Sequence, residues 1–380
     1  MNENPTILII AGEVSGDMHG AELVKAIKKI RPGAHFFGIG GKEMRDAGVE
    51  TLFSTEEMAV MGITEVLAKY SFFKQVFKSI LEQARIRQPD AAILVDYPGF
   101  NLRIADELHA MNIKNIYYIC PQVWAWRQSR IKRMARIIDQ LITIFPFEKK
   151  YFDGTGLPVD FAGHPLVHRL PSREKASETE LPWKQGPRVA LLPGSRIHEI
   201  QRIFPSMWKA AEILESEHPS ASFIVAAPSK EMADEIRNKI AVLGGGPARC
   251  SVVYEKTSDI LGQADTTLVA SGTATVEAAL MLCPMVIAYR TAALTYFLGK
   301  LLVKVSHIGM VNIIAGRGIC PEYIQGQVTP SALAAAASPL LSDTQERRDM
   351  IKALEEVKDS LGSQDASTKA AESVIQTLDR

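Results

Sequence analysis

The feature that most constrains this chain is a rhythm of short, unbroken apolar runs alternating with amphipathic stretches. Residues Thr6–Ala11 read TILIIA, with no polar residue interleaved after the first. A strand with one wet face alternates apolar and polar residues, whereas a strand buried on both faces reads as a continuous run. Leu23, Val24, Ile27 and Ile30 then recur at helical spacing, while Lys25, Lys28 and Lys29 fall on the other face. Further strand patterns occupy His35–Ile39, Ala91–Val95, Asn115–Cys120 and Gln140–Phe145. A polar stretch at 171–186 (PSREKASETELPWKQG) interrupts the rhythm and reads as an interdomain linker or a long surface loop. The rhythm restarts with Arg188–Leu192, Ala221–Ala227, Ser251–Tyr254, Thr266–Ala270 and Met285–Ala288. The expected architecture is α/β, with two Rossmann-like parallel-sheet domains at 1–170 and 187–345. Polar helices are expected over 346–380, with no docking site assigned.

A chain of 380 residues accommodates two such domains, and 47% apolar against 23% charged residues gives enough core for them. Lys and Arg balance Asp and Glu at 43 each, so no global field points to nucleic acid. Cys120, Cys250, Cys283 and Cys320 form no C-x-x-C pair and match no zinc spacing, so reduced thiols of a cytoplasmic protein are expected. The first apolar run stops at Gly12-Glu13, too soon for a signal sequence. No stretch reaches the roughly 18 apolar residues of a membrane span.

Ligands of open parallel sheets bind beyond the carboxyl ends of the strands, so the residues following each strand are the candidates. After the first strand, Gly12 to Gly20 carries Glu13, Asp17 and His19 among glycines. This loop is a sugar or anion site, or a strand–helix turn capped by Ser15 or Asp17. It is a poor dinucleotide fingerprint. Asp96 ends the run Ala91–Val95, where a general base belongs; a helix cap is the alternative, for which Asn101 competes. Gly194, Ser195 and Arg196 follow another strand and suit phosphate, since Arg presents a permanent planar charge, with a plain turn as the alternative. Ser271, Gly272, Thr273 and Thr275 open a helix and suit a diphosphate, with Glu277 available for ribose hydroxyls; plain capping accounts equally well for that cluster.

Other features favour packing. His164 and His168 are four apart, but Pro165 intervenes and no acid completes a set, so no metal is expected. Trp124 and Trp126 suit sugar stacking or core. Met58–Phe77, with Lys69, Lys74 and Lys78, is a core helix or a surface that enters lipid headgroups, and Thr295–Val303 has similar character.

Eight segments in order resemble the lipid-A-disaccharide synthase family: AGEVSGDMHG (11–20), VMGITEVL (60–67), VDYPGFNL (95–102), PQVWAWR (121–127), GHPL (163–166), LLPGSR (191–196), SGTATVEAAL (271–280) and PEYIQ (321–325). Val14, Cys120 and the stretch Met310-Val311-Asn312 depart slightly from the family pattern. The resemblance implies a GT-B glycosyltransferase whose two domains face across a cleft. It implies transfer, with anomeric inversion, from UDP-2,3-diacylglucosamine to 2,3-diacylglucosamine 1-phosphate, giving a β-1,6-linked disaccharide 1-phosphate and UDP. It also implies work at the cytoplasmic face of the inner membrane. No separate cofactor is needed, because UDP is the leaving group. Asp96 leads as base, with Glu13, Asp17 and His19 as rivals. Asn312, Glu322 and Gln325 match family positions near the donor. The competing classes are a UDP-N-acetylglucosamine 2-epimerase of the same fold, a periplasmic-type binding protein and a Rossmann oxidoreductase. Oligomeric state is open.

Overall fold

A computed structural model describes residues 3–58, 63–293, 296–297 and 306–380, with backbone only for 63–70. The chain divides into two compact units, Met1–Pro165 with Leu361–Arg380, and Leu166–Ser360.

The first unit is built on a seven-stranded sheet of order β3-β2-β1-β4-β5-β6-β7. Its strands are β1 (Thr6–Ala11), β2 (His35–Gly40), β3 (Val49–Ser54), β4 (Ala91–Val95), β5 (Lys114–Tyr118), β6 (Gln140–Thr143) and β7 (Val159–Phe161). All pairings are parallel. The apolar runs have a direct cause. Leu8 and Ile10 point into one buried cluster, while Ile7, Ile9 and Ala11 point into the other. The strand order reverses between β1 and β4, and Ala11 pairs with Val95 at the carboxyl end. Gly12 and Asp96 therefore leave the sheet side by side at its switch point.

The second unit has a six-stranded parallel sheet of order β10-β9-β8-β11-β12-β13. Its strands are β8 (Arg188–Leu192), β9 (Ser222–Ala227), β10 (Cys250–Tyr254), β11 (Thr266–Ala270), β12 (Met285–Tyr289) and β13 (Glu322–Ile324). Here the switch lies between β8 and β11, where Leu192 pairs with Val269.

Two segments sit differently from a reading by polarity. The stretch at 171–186 is no free linker: a short helix, Arg173–Glu178, packs on the second unit with Ala176 fully buried. Gln263 Nε2 donates to the carbonyls of Ala176 and Thr179, and Arg173 donates to that of Gly262. The two terminal helices part company. Gln345–Ser360 buries Met350, Leu354 and Val357 in the second unit, whereas Ala366–Asp379 returns to the first. There Ala370, Ala371 and Val374 join the cluster under β1, and Ser373 Oγ donates to Asp160 at 2.7 Å.

Much of the stretch considered as lipid-facing lies outside the described residues, as does most of Thr295–Val303. What is described of the helix Ile63–Arg87 buries Val76, Ile80 and Ala84. Phe72 and Phe73 are half-buried, and Phe72 meets Phe53 edge-on at 6.4 Å. Lys74 and Lys78 are exposed. Among the described residues no helix is long and apolar enough to cross a membrane. All four cysteines are free thiols.

Candidate functional site

In the first unit the chain turns sharply after β4. Asp96 and Tyr97 have φ of 45° and 47°, two successive non-glycine residues in the left-handed region. Each such residue costs on the order of 1–3 kcal/mol, so the surroundings must hold it. They do so at the Asp96 backbone. Its N–H donates to Tyr118 O at 2.9 Å, and its carbonyl accepts from Tyr117 Oη at 2.6 Å and Asn101 Nδ2 at 2.8 Å. Asn101, fully buried, also donates to Val95 O, so it braces the turn and does not cap the helix Pro98–Ala110. Gly12 leaves room for the Tyr97 ring; a Cβ there would fall 2.2 Å from Cδ1 of that ring.

The held carboxyl is chemically unusual. Burial first and the nearby Glu13 charge second push the Asp96 carboxyl up, the Tyr97 N–H pulls it partly back, and it is left raised to about 6. A carboxylate with this affinity for a proton is suited to general-base work near neutral pH. Glu13 itself is exposed, at the start of the helix Val14–Ile30.

The rival candidates separate here. Asp17 is buried, and its carboxylate accepts from the backbone N–H groups of Gly41 (2.6 Å), Glu43 (3.0 Å) and Met44 (3.1 Å). Its carboxylate caps the start of the helix Lys42–Asp46 and is taken up by these three amides. His19 lies near His164, whose imidazole burial holds down to about 4, with His19 adding to the effect. The His164 ring rests on Phe145 at 5.1 Å.

Glu148 was not legible as a site residue. It is buried, accepts from Phe145 N at 3.1 Å and Trp124 Nε1 at 3.2 Å, and is pushed up to about 8, by burial first and by Asp96 among the lesser causes. In the sequence it stands beside Lys149 and Lys150, which disguises it as surface charge. Its one signal was a position just beyond the apolar run Gln140–Phe145. Trp124 is buried through this bond, whereas Trp126 stays 38% exposed.

The second unit gathers most of its candidates in one pocket of about 320 Å³ at the switch between β8 and β11. Gly194, Ser195 and Arg196 line it from one strand end, and Ser271, Gly272, Thr273 and Glu277 from the other. Gly194 has φ of 117°, and any Cβ there would meet the Glu199 side chain at 2.5 Å. Glu199, three residues beyond Arg196, accepts from the N–H groups of Ser195 (3.0 Å) and Arg196 (3.3 Å). A carboxylate thus occupies donors that the turn would otherwise offer to an anion, and the Arg196 guanidinium is left 72% exposed. Glu277 is half-buried, and burial raises its carboxyl while Arg169 partly offsets that.

Four candidates stay off the lining. Thr275, fully buried, donates to Gly272 O at 2.8 Å and closes the turn from within. Asn312 donates to Cys320 O and to Glu322 Oε1 at 2.7 Å, and accepts from the N–H groups of Ile319 and Cys320. Glu322 accepts from Ile308 N and Gly309 N, while Ile308 O accepts from the pocket residue Ser271. Gln325 bonds both ways to the Thr291 backbone. Asn312 and Glu322 thus connect through Ile308 to the pocket residue Ser271, whereas Gln325 fastens Thr291, which is not on the lining.

The family profile described as Lipid-A-disaccharide synthetase matches residues 7–377. A lipid-A-disaccharide synthase of Myxococcus xanthus is 40% identical, covering 100% of this chain and 99% of that one. Among solved structures, the glycotransferase of kitacinnamycin superposes with a TM-score of 0.66 at 15% identity, covering 98% of this chain and 99% of that one. A UDP-GlcNAc 2-epimerase from Neisseria meningitidis, bound to UDP-GlcNAc, gives 0.62 at 10% identity, covering 98% and 99%. The structural likenesses establish a GT-B fold, and at these identities nothing finer. The sequence matches go further: the chain belongs to the lipid-A-disaccharide synthetase family.

Proposed function

We propose that this hexosyltransferase of lipid A disaccharide synthesis moves a diacylglucosaminyl group from UDP to the 6-hydroxyl of diacylglucosamine 1-phosphate, with inversion. The observation that carries the reading is the family match over nearly the whole chain. Asp96 then has a definite task. The acceptor O6 attacks the donor C1, its proton passes to the Asp96 carboxylate, and the C1–O bond to UDP breaks, with the electron pair leaving on the β-phosphate. A base held near 6 is ionised at neutral pH and binds the proton more strongly than an ordinary carboxylate.

The pocket of the second unit suits the UDP moiety. Arg196, exposed and only loosely paired with Glu199, provides a cation for the diphosphate, Ser195, Ser271 and Thr273 provide polar contacts, and Glu277 accepts from the ribose. Asn312 and Glu322 act as positioning residues behind Ser271, and Gln325 holds the backbone at Thr291. The reaction as written draws on no cofactor, since UDP carries the departing charge.

Acylated substrates reside in a bilayer, so the protein works as a peripheral enzyme on the cytoplasmic face of the inner membrane. The exposed Lys74 and Lys78 suit anionic headgroups. Reversing both charges should weaken sedimentation with phosphatidylglycerol vesicles; unchanged binding removes this helix from the contact.

Product mass spectrometry with both acylated monosaccharides tests the function. The expected products are a tetraacyl disaccharide 1-phosphate and UDP. Conversion of the UDP-sugar alone into an epimer, with no disaccharide, would overturn the reading in favour of an epimerase.

A further inference from the structure

Beyond β5 the chain makes a tight turn through Trp124 and Trp126 and enters the helix Ser129–Ile137. This helix and the residue before its cap are rich in cations, and they are not equally satisfied. Arg133 and Arg136 both reach Asp106, and Arg133 also donates to Leu102 O. Arg127 and Arg130 have no carboxylate within ion-pair distance among the described residues; both lie against the Trp126 ring, at 4.5 and 5.6 Å from its centroid. Arg127 is held there with φ of 56°.

The pair is electrostatically unrelieved. Burial lowers the proton affinity of Arg130, and the charges of Arg127 and Arg133 lower it further. Two guanidinium groups converging on one exposed ring repel each other, so a counter-ion between them has a favourable position waiting. Their location is also informative. Arg130 acts on the Tyr117 phenol, and that phenol donates to the Asp96 carbonyl. The unpaired cations and the proposed base thus share the carboxyl end of β4 and β5.

We propose that Arg127 and Arg130 form a phosphate-monoester clamp that grips the 1-phosphate of the acceptor sugar. The inference rests on the acceptor assigned above. A dianionic monoester matches two guanidinium charges, whereas a phosphodiester headgroup carries one charge. Planar guanidinium groups present paired donors to phosphate oxygens, and the exposed Trp126 ring offers an apolar face to a pyranose. An acceptor anchored by its phosphate on C1 keeps its 6-hydroxymethyl group, on C5 across the ring oxygen, free to reach the base.

The test uses the full chain with Arg127→Gln and Arg130→Gln together. Calorimetric titration measures binding of a short-acyl diacylglucosamine 1-phosphate and of the same sugar without its phosphate. The phosphorylated sugar should bind the double variant roughly tenfold to hundredfold more weakly than the native protein. The unphosphorylated sugar should bind both equally, and UDP affinity should be unchanged, which shows that the variant is folded. Equal binding of the phosphorylated sugar to both proteins overturns the proposal. So does a variant that loses phosphatidylglycerol vesicles yet keeps the sugar phosphate, since the arginines would then serve lipid headgroups. Arg130→Lys separates bidentate geometry from charge and should recover only part of the loss. Disaccharide formation by the native protein, followed in parallel, tests the transferase reading independently of the titration.

Discussion

The Tyr117 hydroxyl donates to the main-chain carbonyl of Asp96 at 2.6 Å, so a neighbouring strand fastens the backbone that carries the proposed base. That backbone runs through two left-handed residues in succession and needs fastening. Tyr117→Phe removes the bond and little volume. Thermal denaturation should show a loss of about 0.5–1.5 kcal/mol. The turnover number should also fall, because a loosened turn no longer aims the carboxylate. Unchanged kcat would mean that the turn holds without Tyr117.

Asp96→Asn keeps the shape and removes the base. A loss of roughly 10²–10⁴-fold in kcat is expected with UDP binding intact. The native acid limb should lie near pH 6, since the base must be ionised and its carboxyl is raised to about 6. Glu13 contributes to that elevation, so Glu13→Gln should move the limb to lower pH. A limb that stays put in Glu13→Gln would contradict the assignment.

Asp17→Ala separates a structural carboxylate from a catalytic one. Three backbone donors lose their acceptor, and each buried orphan costs about 1–3 kcal/mol. The melting temperature should drop sharply, while kcat measured well below it stays near native. A stable variant with kcat reduced a hundredfold or more would restore Asp17 as a candidate base.

Arg196→Ala is expected to act in the opposite manner. Its side chain is 72% exposed and its contact with Glu199 is long at 3.7 Å, so stability should hardly change. UDP affinity should fall by roughly tenfold or more, the worth of a charge-assisted hydrogen bond. Equilibrium titration with UDP decides it.

Glu148 makes stability depend on pH. Its carboxyl is raised from 4.5 to about 8 in the folded chain, so the native state binds the proton more tightly than the unfolded state. Stability is therefore greatest below the unfolded value, declines as pH rises through that window, and levels off above about 8. Glu148→Gln should flatten this slope in denaturant titrations across the window. A slope equal to the native one would assign the pH dependence elsewhere.

The apolar runs by themselves determined the two parallel sheets, because only strands buried on both faces tolerate so little polarity. Turn chemistry marked the candidate positions: Gly12, Asp96, Gly194 and Ser271 each follow such a run at a switch point. Tertiary structure decided what each polar side chain does there. Asp17 and Glu13 look alike along the chain, yet one is taken up by amides of a turn 24 residues or more away and the other faces solvent. Glu148 becomes special only because folding removes its water and brings Trp124 to it. The helix Ala366–Asp379 rejoins the first unit through Ala370 and Val374, a small apolar stripe whose partner lies hundreds of residues earlier. Periodicity is a local property and survives in the sequence. Hydrogen-bond partners, burial and proton affinity are set by residues distant along the chain, so they exist only once the chain has folded.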